Sequence, residues 1–161
     1  ESLISVDLDV QGKTIRVFTT HLQSILLKKD DYRNLEIIKN ADDSLMQASR
    51  SIVRKLRTGY YYRVNQAKMA RQQLDESPYP EIICGDFNDV PNSYTYATIK
   101  GNRQDAFIEQ GSGIGRTFSN VAPTLRIDYI LVNKKLKVIQ SKRIVLPYSD
   151  HYPVLADLQW R

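Results

Sequence analysis

The stretch Glu81-Ile82-Ile83-Cys84-Gly85-Asp86-Phe87-Asn88-Asp89-Val90-Pro91-Asn92 (EIICGDFNDVPN) joins a short apolar run to a segment of polar turn residues. The apolar part is typical of a buried strand. Gly85 then gives the backbone the freedom for a close approach at the strand end. Aspartate and asparagine alone favour a turn, because their side chains bond neighbouring backbone amides. At the end of a strand they can equally deliver polar groups to a reacting phosphate.

Hydrophobic periodicity on both sides of this stretch predicts a mixed α/β (α+β) fold. Besides residues 81–84, the predicted strands are 3–10 and 14–20, joined as a hairpin through Gln11-Gly12-Lys13, and segments near 127–131, 138–145 and 154–158. The predicted helices run from about Asp30 to Arg57, closed by Thr58-Gly59, then over 60–75 and from about Ser93 to Lys100. Strands outnumber helices and hairpins occur at both ends, which argues against a doubly wound parallel sheet.

The length of 161 residues fits a single domain over residues 1–161, with 42% hydrophobic residues and no apolar run long enough to span a membrane. The net charge of +5 favours an anionic partner such as nucleic acid, a phospholipid headgroup or a phosphorylated metabolite. Cys84 is the only cysteine, so an internal disulfide is excluded. The chain opens at Glu1 without Met, which leaves cytoplasmic and periplasmic or secreted locations open.

Polar side chains collect at predicted strands in four places: His21, the Asp86/Asn88 pair, Asp128, and Asp150-His151. Taken singly, most of these favour a structural role. Together they supply what metal-assisted phosphodiester hydrolysis requires: oxygen ligands for a hard cation, a histidine held by a carboxylate, and donors for the charge that grows on phosphate oxygens. Both histidines of the chain fall in these clusters.

Four motifs carry a resemblance to a known family: Thr20-His21-Leu22, Gly85-Asp86-Phe87-Asn88, Arg126-Ile127-Asp128-Tyr129 and Ser149-Asp150-His151. In this order they resemble motifs of the endonuclease/exonuclease/phosphatase (DNase I-like) superfamily. The resemblance implies a four-layer α/β sandwich, with two sheets face to face and helices outside. It also implies a metal-dependent phosphoesterase that acts on a phosphate-ester substrate, with nucleic acid favoured here.

The resemblance implies a role for each matching residue. His151 is similar to the histidine that transfers a proton or binds the scissile phosphate, and Asp128 to the carboxylate that orients it. Asp86 is similar to the aspartate that positions or activates the attacking water, with Asn88 contacting the phosphate. His21 corresponds to a histidine that many members use against the same phosphate.

The resemblance also implies a divalent cofactor, Mg²⁺ (or Mn²⁺ or Ca²⁺), with Asp150 as the metal-site aspartate. The family's principal metal ligand, a glutamate in its N-terminal portion, has no counterpart among the glutamates of this chain, which are Glu1, Glu36, Glu76, Glu81 and Glu109. The chain therefore resembles the C-terminal portion of a member that lacks its N-terminal strands. We expect little or no Mg²⁺-dependent activity from it alone, and self-association through the sheet surface that those strands would cover.

Other interpretations remain open. A non-catalytic binding or scaffold module could keep the fold, and a phospholipid or inositol-phosphate phosphoesterase could use the same motifs. A zinc or redox site on Cys84 is disfavoured, since no CxxC or HxxxH spacing occurs. The run Tyr60-Tyr61-Tyr62-Arg63 could form an aromatic and basic surface for nucleic acid, although packing at a helix start is favoured. Substrate choice is expected to depend on residues 28–75 and the glycine-rich loop 111–118.

Overall fold

A computed structural model of the chain describes residues 2–25, 45–120 and 124–161, and it confirms the mixed α/β fold. The strands are β1 (Ser2–Val10), β2 (Lys13–His21), β3 (Glu81–Asp86), β4 (Gln104–Asp105), β5 (Asp128–Val132), β6 (Leu136–Arg143) and β7 (Val154–Trp160). The helices are α1 (Leu45–Asp75), α2 (Tyr94–Lys100) and α3 (Ala106–Gln110). The predicted helical residues before Leu45 lie outside the described residues. No helix in the described ranges is long and apolar enough to cross a membrane.

The predicted hairpin between β1 and β2 is confirmed. Gln11 and Gly12 form its tip with φ values of 58° and 76°, the positive pair that a type I′ turn requires. The Gly12 amide donates to Asp9 Oδ1 at 3.0 Å, which fixes the turn against its own strand. The turn sets the antiparallel register of β1 and β2 along their whole length.

The five-stranded sheet has the order β1-β2-β3-β5-β4. Strands β2 and β3 are parallel, whereas β3 and β5 are antiparallel. The carboxyl ends of β2 and β3 therefore meet the amino end of β5 at one edge of the sheet. In this register His21 pairs with Asp86, and Asp86 pairs with Asp128. Three polar residues from three distant segments thus stand in one row.

The two faces of this sheet pack against different layers. Ile83 and Leu131 point into a core shared with α1 and α2. Ile82 and Val132 point to the opposite side, into a second core shared with the two-stranded sheet of β6 and β7. Successive residues of a strand face opposite sides, so adjacent apolar residues such as Ile82 and Ile83 build separate cores. The described residues form helix, sheet and sheet layers.

Helix α1 corrects one prediction. The expected end at Thr58-Gly59 is wrong, because the helix runs without a break to Asp75. Gly59 instead allows a close approach: a methyl group there would lie 3.1 Å from Arg63 Nη1 and 3.4 Å from Ile25 Cγ1. The glycine signal therefore reflects contact with the segment after β2. The short strand β4 and helix α3 were not predicted, since two and five residues carry too little periodicity.

Strand β1 leaves an apolar surface uncovered. It pairs only with β2 among the described strands, and alternate side chains on it are exposed: Ile4 by 59%, Val6 by 52%, Leu8 by 44% and Val10 by 38%. The register places Val6 opposite Val17 and Leu8 opposite Ile15, so these side chains extend the face that packs on β6 and β7. The second sheet covers only part of this face.

Gly85 is required where β3 passes β2. Its φ is 137°, and a methyl group there would lie 1.9 Å from the carbonyl oxygen of Thr20 on the neighbouring strand. No side chain fits that space. The glycine predicted to permit a close approach therefore does so against protein backbone, one residue before Asp86.

We expect Gly85→Ala to lower the free energy of unfolding by at least about 2–3 kcal/mol, because the backbone strain and the contact with Thr20 act together. Gly12→Ala is the matched control. Gly12 also has a positive φ, but an added methyl group meets nothing within 4 Å, so a loss of about 1 kcal/mol is expected. Urea denaturation followed by circular dichroism measures both. Equal losses in the two variants would contradict the proposed contact.

Candidate active site

The candidate site lies at the sheet edge where β2, β3 and β5 meet. Asp86 ends β3 and Asp128 begins β5, and the two are paired directly across the strands. Both side chains are about 16% exposed, so they are largely removed from water without being sealed in. Two carboxylates this close repel each other, and such an arrangement favours a neighbouring cation or a proton.

His151 reaches this edge from the segment before β7. Its Nδ1 lies 3.0 Å from Asp128 Oδ2 and 3.2 Å from Oδ1. A carboxylate can only accept, so this contact assigns the proton to Nδ1. The opposite nitrogen, Nε2, faces Asp86 Oδ2 at 3.9 Å. The structure thus joins His151 to both carboxylates, one on each side of its ring.

Asn88 holds Asp86 from the loop after β3. The Asn88 backbone amide donates to Asp86 Oδ1 at 2.7 Å, and its Nδ2 donates to Asp86 Oδ2 at 3.0 Å. The same Nδ2 donates to the Leu22 carbonyl at 3.0 Å. The φ of 50° at Asn88 turns the chain back over the carboxylate. A contact between this amide nitrogen and a phosphate would require one of these bonds to break.

His21 lies at the outer side of the row. Its Nε2 is 3.8 Å from Asp86 Oδ2, and its side chain is 64% exposed. The two histidines thus face the same carboxylate oxygen at nearly equal distances. Both distances are too long for a hydrogen bond. They are short enough for one small oxygen-bearing group to contact a histidine and Asp86 together.

Asp150 lies apart from this group. Its side chain is exposed, with Asn120 Nδ2 at 3.4 Å from its Oδ2. Within the described ranges, the side chains that could jointly hold a metal ion are Asp86, Asp128 and His151, whose ligand atoms lie within 4.8 Å of one another. The assignment of Asp150 as a metal ligand therefore stays a prediction. From this segment of the chain, the observed cluster includes the next residue, His151.

Thr117 supports the Asp128–His151 pair, and the sequence reasoning did not find it. Its Oγ1 accepts hydrogen bonds from the amides of Ile127 at 3.0 Å and Asp128 at 3.1 Å. Its carbonyl accepts from the Tyr152 amide at 2.7 Å. Thr117 is 2% exposed. One buried residue therefore ties together the segments that carry Asp128 and His151. The only sequence feature that pointed to Thr117 was its position in the loop 111–118, which was expected to affect substrate choice.

Helix α1 fixes the other side of the site. The Arg63 side chain is buried, and it donates through Nε to Asp89 Oδ2 at 3.1 Å and through Nη1 to the Gln23 carbonyl at 3.0 Å. Gln66 Oε1 accepts from the Gln23 amide at 2.9 Å. Gln23 follows His21 by two residues, and Asp89 follows Asn88 directly. The helix therefore anchors both loops that bear predicted site residues.

Burial raises the pKa of Asp86 above its ordinary value, and the charge of Asp128 adds to this effect. The amide of Asn88 and the two histidines act in the opposite direction and lower that pKa only partly. A carboxylate with a raised pKa is a stronger base, which suits a group that takes a proton from water.

The raised pKa of Asp86 predicts a pH-dependent cost to folding. The folded state binds this proton more tightly than the unfolded state, so its contribution to stability is present below the ordinary pKa and lost as the pH rises through the raised one. Asp86→Asn should therefore raise the free energy of unfolding at neutral pH. The gain should vanish in acid, where Asp86 is protonated in both states.

Asp7→Asn is the control of opposite sign, because the hydrogen bond from Arg16 lowers the pKa of the exposed Asp7. That variant should lose stability at neutral pH and not in acid. Urea midpoints of the three proteins between neutral pH and acid measure both effects. An Asp86→Asn variant that is less stable than the parent at neutral pH would contradict the assigned cost.

The chain resembles known proteins both in sequence and in structure. The family model described as the Endonuclease/Exonuclease/phosphatase family matches residues 30–151. A family protein from Bacteroides thetaiotaomicron is similar, with 20% identity, a TM-score of 0.59, and coverage of 92% of this chain and 51% of that one. Human Nocturnin, in a structure of its catalytic domain with a bound sulfate anion, gives 18% identity, a TM-score of 0.59, and coverage of 99% and 52%.

A mannosyl-6-phosphatase from Bacteroides thetaiotaomicron gives 19% identity, a TM-score of 0.53, and coverage of 93% of this chain and 53% of the other. No curated protein shows significant similarity to the chain. The chain spans about half the length of these solved structures, and over that length it has their DNase I-like mixed α/β fold. Since the family model covers most of the sequence, the chain belongs to the Endonuclease/Exonuclease/phosphatase family.

Proposed function

We propose that this chain carries the catalytic edge of a metal-dependent phosphoesterase that cleaves a phosphodiester by attack of an activated water. One observation supports this most strongly: His151 bonds Asp128 through Nδ1 while its Nε2 faces Asp86. The register of β3 and β5 places these two carboxylates side by side. Membership of a family of endonucleases, exonucleases and phosphatases adds to it.

Asp86 is the group that positions and deprotonates the attacking water. Both of its oxygens are oriented by Asn88, and its raised pKa increases its affinity for the proton that water gives up. In this arrangement Asn88 acts chiefly on Asp86. His21, exposed beside the same carboxylate oxygen, is free to donate to a phosphate oxygen of the substrate.

His151 is the group that gives a proton to the leaving oxygen. Asp128 holds the Nδ1 proton and stabilises the imidazolium that forms when Nε2 is also protonated. The Nε2–H then lies toward the space between His151 and Asp86, where the phosphate would bind. After cleavage the proton passes from Nε2 to the departing oxygen, and the water proton stays on Asp86.

Asp86 and Asp128 offer the carboxylate oxygens that Mg²⁺ prefers, and substrate and water oxygens would complete its shell. A bound Mg²⁺ would polarise the phosphate and neutralise the charge that grows on its oxygens. In the predicted assignment Asp150 also contributes to this metal site.

Nucleic acid is the favoured substrate, because the net charge of +5 suits a polyanion. A phosphomonoester is the main alternative, since a protein of the same fold is a mannosyl-6-phosphatase. Phospholipids and inositol phosphates share the same chemistry. A panel of plasmid DNA, abasic DNA, RNA, a sugar phosphate, sphingomyelin and inositol phosphates, each with Mg²⁺ or with a chelator, separates these substrates.

A non-catalytic module that keeps the fold is the second candidate. A scaffold has no need for two half-buried carboxylates in direct register, where burial and the charge of Asp128 raise the pKa of Asp86. Absence of Mg²⁺-dependent turnover across the panel, in a polypeptide that also carries the family's N-terminal strands, would favour the module.

His151→Ala should lower turnover by roughly 10²–10⁴ in such a longer polypeptide, as expected for a lost acid–base group. Asp128→Asn should lower it as well, and the double variant should lose little more than His151→Ala alone, because the two side chains act as one unit. A rate loss in the double variant equal to the product of the two single losses would contradict this. So would an unchanged rate in His151→Ala. The 161-residue chain by itself should turn over slowly, and equal rates for the two polypeptides would contradict this.

The exposed face of β1 leads us to expect that the isolated chain self-associates. Ile4, Val6 and Leu8 offer an apolar strip on a strand that pairs only with β2 among the described strands, which favours contact between copies. Val6→Lys should shift the mass measured by light scattering toward the monomer. Val53→Lys, at an equally exposed valine on α1, is the control and should leave the mass unchanged. A monomeric parent at high concentration would overturn the expectation.

A further inference from the structure

The positive charge of the chain is concentrated on one helix. Helix α1 carries seven Lys or Arg residues and one acidic residue, a net charge of +6: Arg50, Arg54, Lys55, Arg57, Arg63, Lys68, Arg71 and Asp75. The remaining sequence has 16 basic and 17 acidic residues, so its net charge is −1. The helix therefore accounts for the whole basic character of the protein. The acidic residue of the helix is its last, Asp75, so its first half contains basic residues and no acidic ones.

The middle of the helix exposes three consecutive aromatic rings. Tyr60 is 46% exposed, Tyr61 is 67% exposed and Tyr62 is 51% exposed. Packing at a helix start was the favoured interpretation of this run, and it is wrong: the run lies inside α1, and only the neighbouring Arg63 is buried. The side chains of Arg54 and Arg57, which precede the tyrosines on the same helix, are exposed as well.

A groove of about 350 Å³ lies between this part of α1 and the segment that follows His21. Arg54 and Tyr62 line it from the helix, and Gln23 and Ser24 line it from the segment that follows His21. The Gln23 backbone is fixed on the other side by Arg63 and Gln66. The groove therefore begins two residues from a predicted phosphate ligand, and its position relative to that ligand is held by hydrogen bonds.

We propose that this groove binds the strand of a single-stranded nucleic acid that continues from the phosphate in the site. Arg54 would pair with a backbone phosphate, and the Tyr62 ring would stack on a base. Cations beside exposed aromatic rings are the combination that binds single strands without a sequence preference. This inference rests on the proposed function and adds to it a binding site on α1 that lies outside the catalytic row.

An anionic membrane is a weaker fit to the same surface. Helices that lie on membranes bury a face rich in Leu, Phe or Trp. Among the described residues, the exposed aliphatic ones near the groove on α1 are Val53 and Leu56, and α1 contains neither Phe nor Trp. A recessed groove, with Gln23 and Ser24 on one side and Arg54 and Tyr62 on the other, suits a strand better than a bilayer surface.

Fluorescence anisotropy with a labelled single-stranded oligonucleotide of about 12 nucleotides tests the proposal. Tyr62→Ala should weaken binding about fivefold or more, through the lost stacking. Arg54→Ala should weaken binding and lower the slope of log Kd against log salt by about 1. Lys68→Ala and Tyr94→Ala are matched controls, an exposed cation further along α1 and an exposed tyrosine on α2, and neither should change binding.

Equal losses in the variants and the controls would overturn the proposal, as would binding of the chain to phosphatidylcholine–phosphatidylserine vesicles but not to the oligonucleotide. Hydrolysis of a small diester by the longer polypeptide separates the two hypotheses, since Arg54→Ala and Tyr62→Ala should leave it unchanged. Hydrolysis without groove-dependent binding overturns this inference alone. Groove-dependent binding without hydrolysis of any phosphate ester overturns the proposed function alone.

Discussion

The contact of Gly85 with the backbone of Thr20 is the constraint on which the site depends. Strands β2 and β3 can run parallel in this register only because residue 85 has no side chain to meet the Thr20 carbonyl. The pairing of Asp86 with His21 follows from that register, and the antiparallel pairing with β5 adds Asp128. A shift by one residue would turn each of these side chains to the opposite face of the sheet. The row of polar groups is therefore a property of the strand pairing.

The surrounding structure stabilises an arrangement that is unfavourable in itself. Burial, together with the charge of the adjacent Asp128, raises the pKa of Asp86 and opposes folding at neutral pH. Hydrogen bonds from Asn88 hold one carboxylate, and His151 holds the other. Buried Thr117 fixes the strand that carries Asp128 and the loop that carries His151. Such local opposition between charge and stability is frequent at functional sites, because groups arranged for chemistry are seldom arranged for folding.

Much of the fold and of the site can be predicted from sequence, because these features depend on residues that are neighbours in the chain. The β1–β2 hairpin and the strand at Glu81 follow from short-range periodicity, and the Asp86/Asn88 pair stands immediately after its strand. The contacts that the sequence did not reveal join distant segments. Thr117 supports a residue 11 positions away, and Arg63 reaches a carbonyl 40 positions away. The helix end predicted at Gly59 was wrong for a related reason. Glycine occurs both at helix ends and where two segments approach closely, and only the tertiary structure distinguishes the two.

The proposed proton transfer depends on the orientation of the His151 ring. Asp128 has to hold the Nδ1 proton so that Nε2 faces Asp86. Nuclear magnetic resonance of the ¹⁵N-labelled chain distinguishes the two neutral tautomers of a histidine by the shifts of its ring nitrogens. We expect that His151 in its neutral form carries the proton on Nδ1, and that Asp128→Asn abolishes this preference. A neutral His151 protonated on Nε2, or a tautomer that ignores Asp128→Asn, would contradict it.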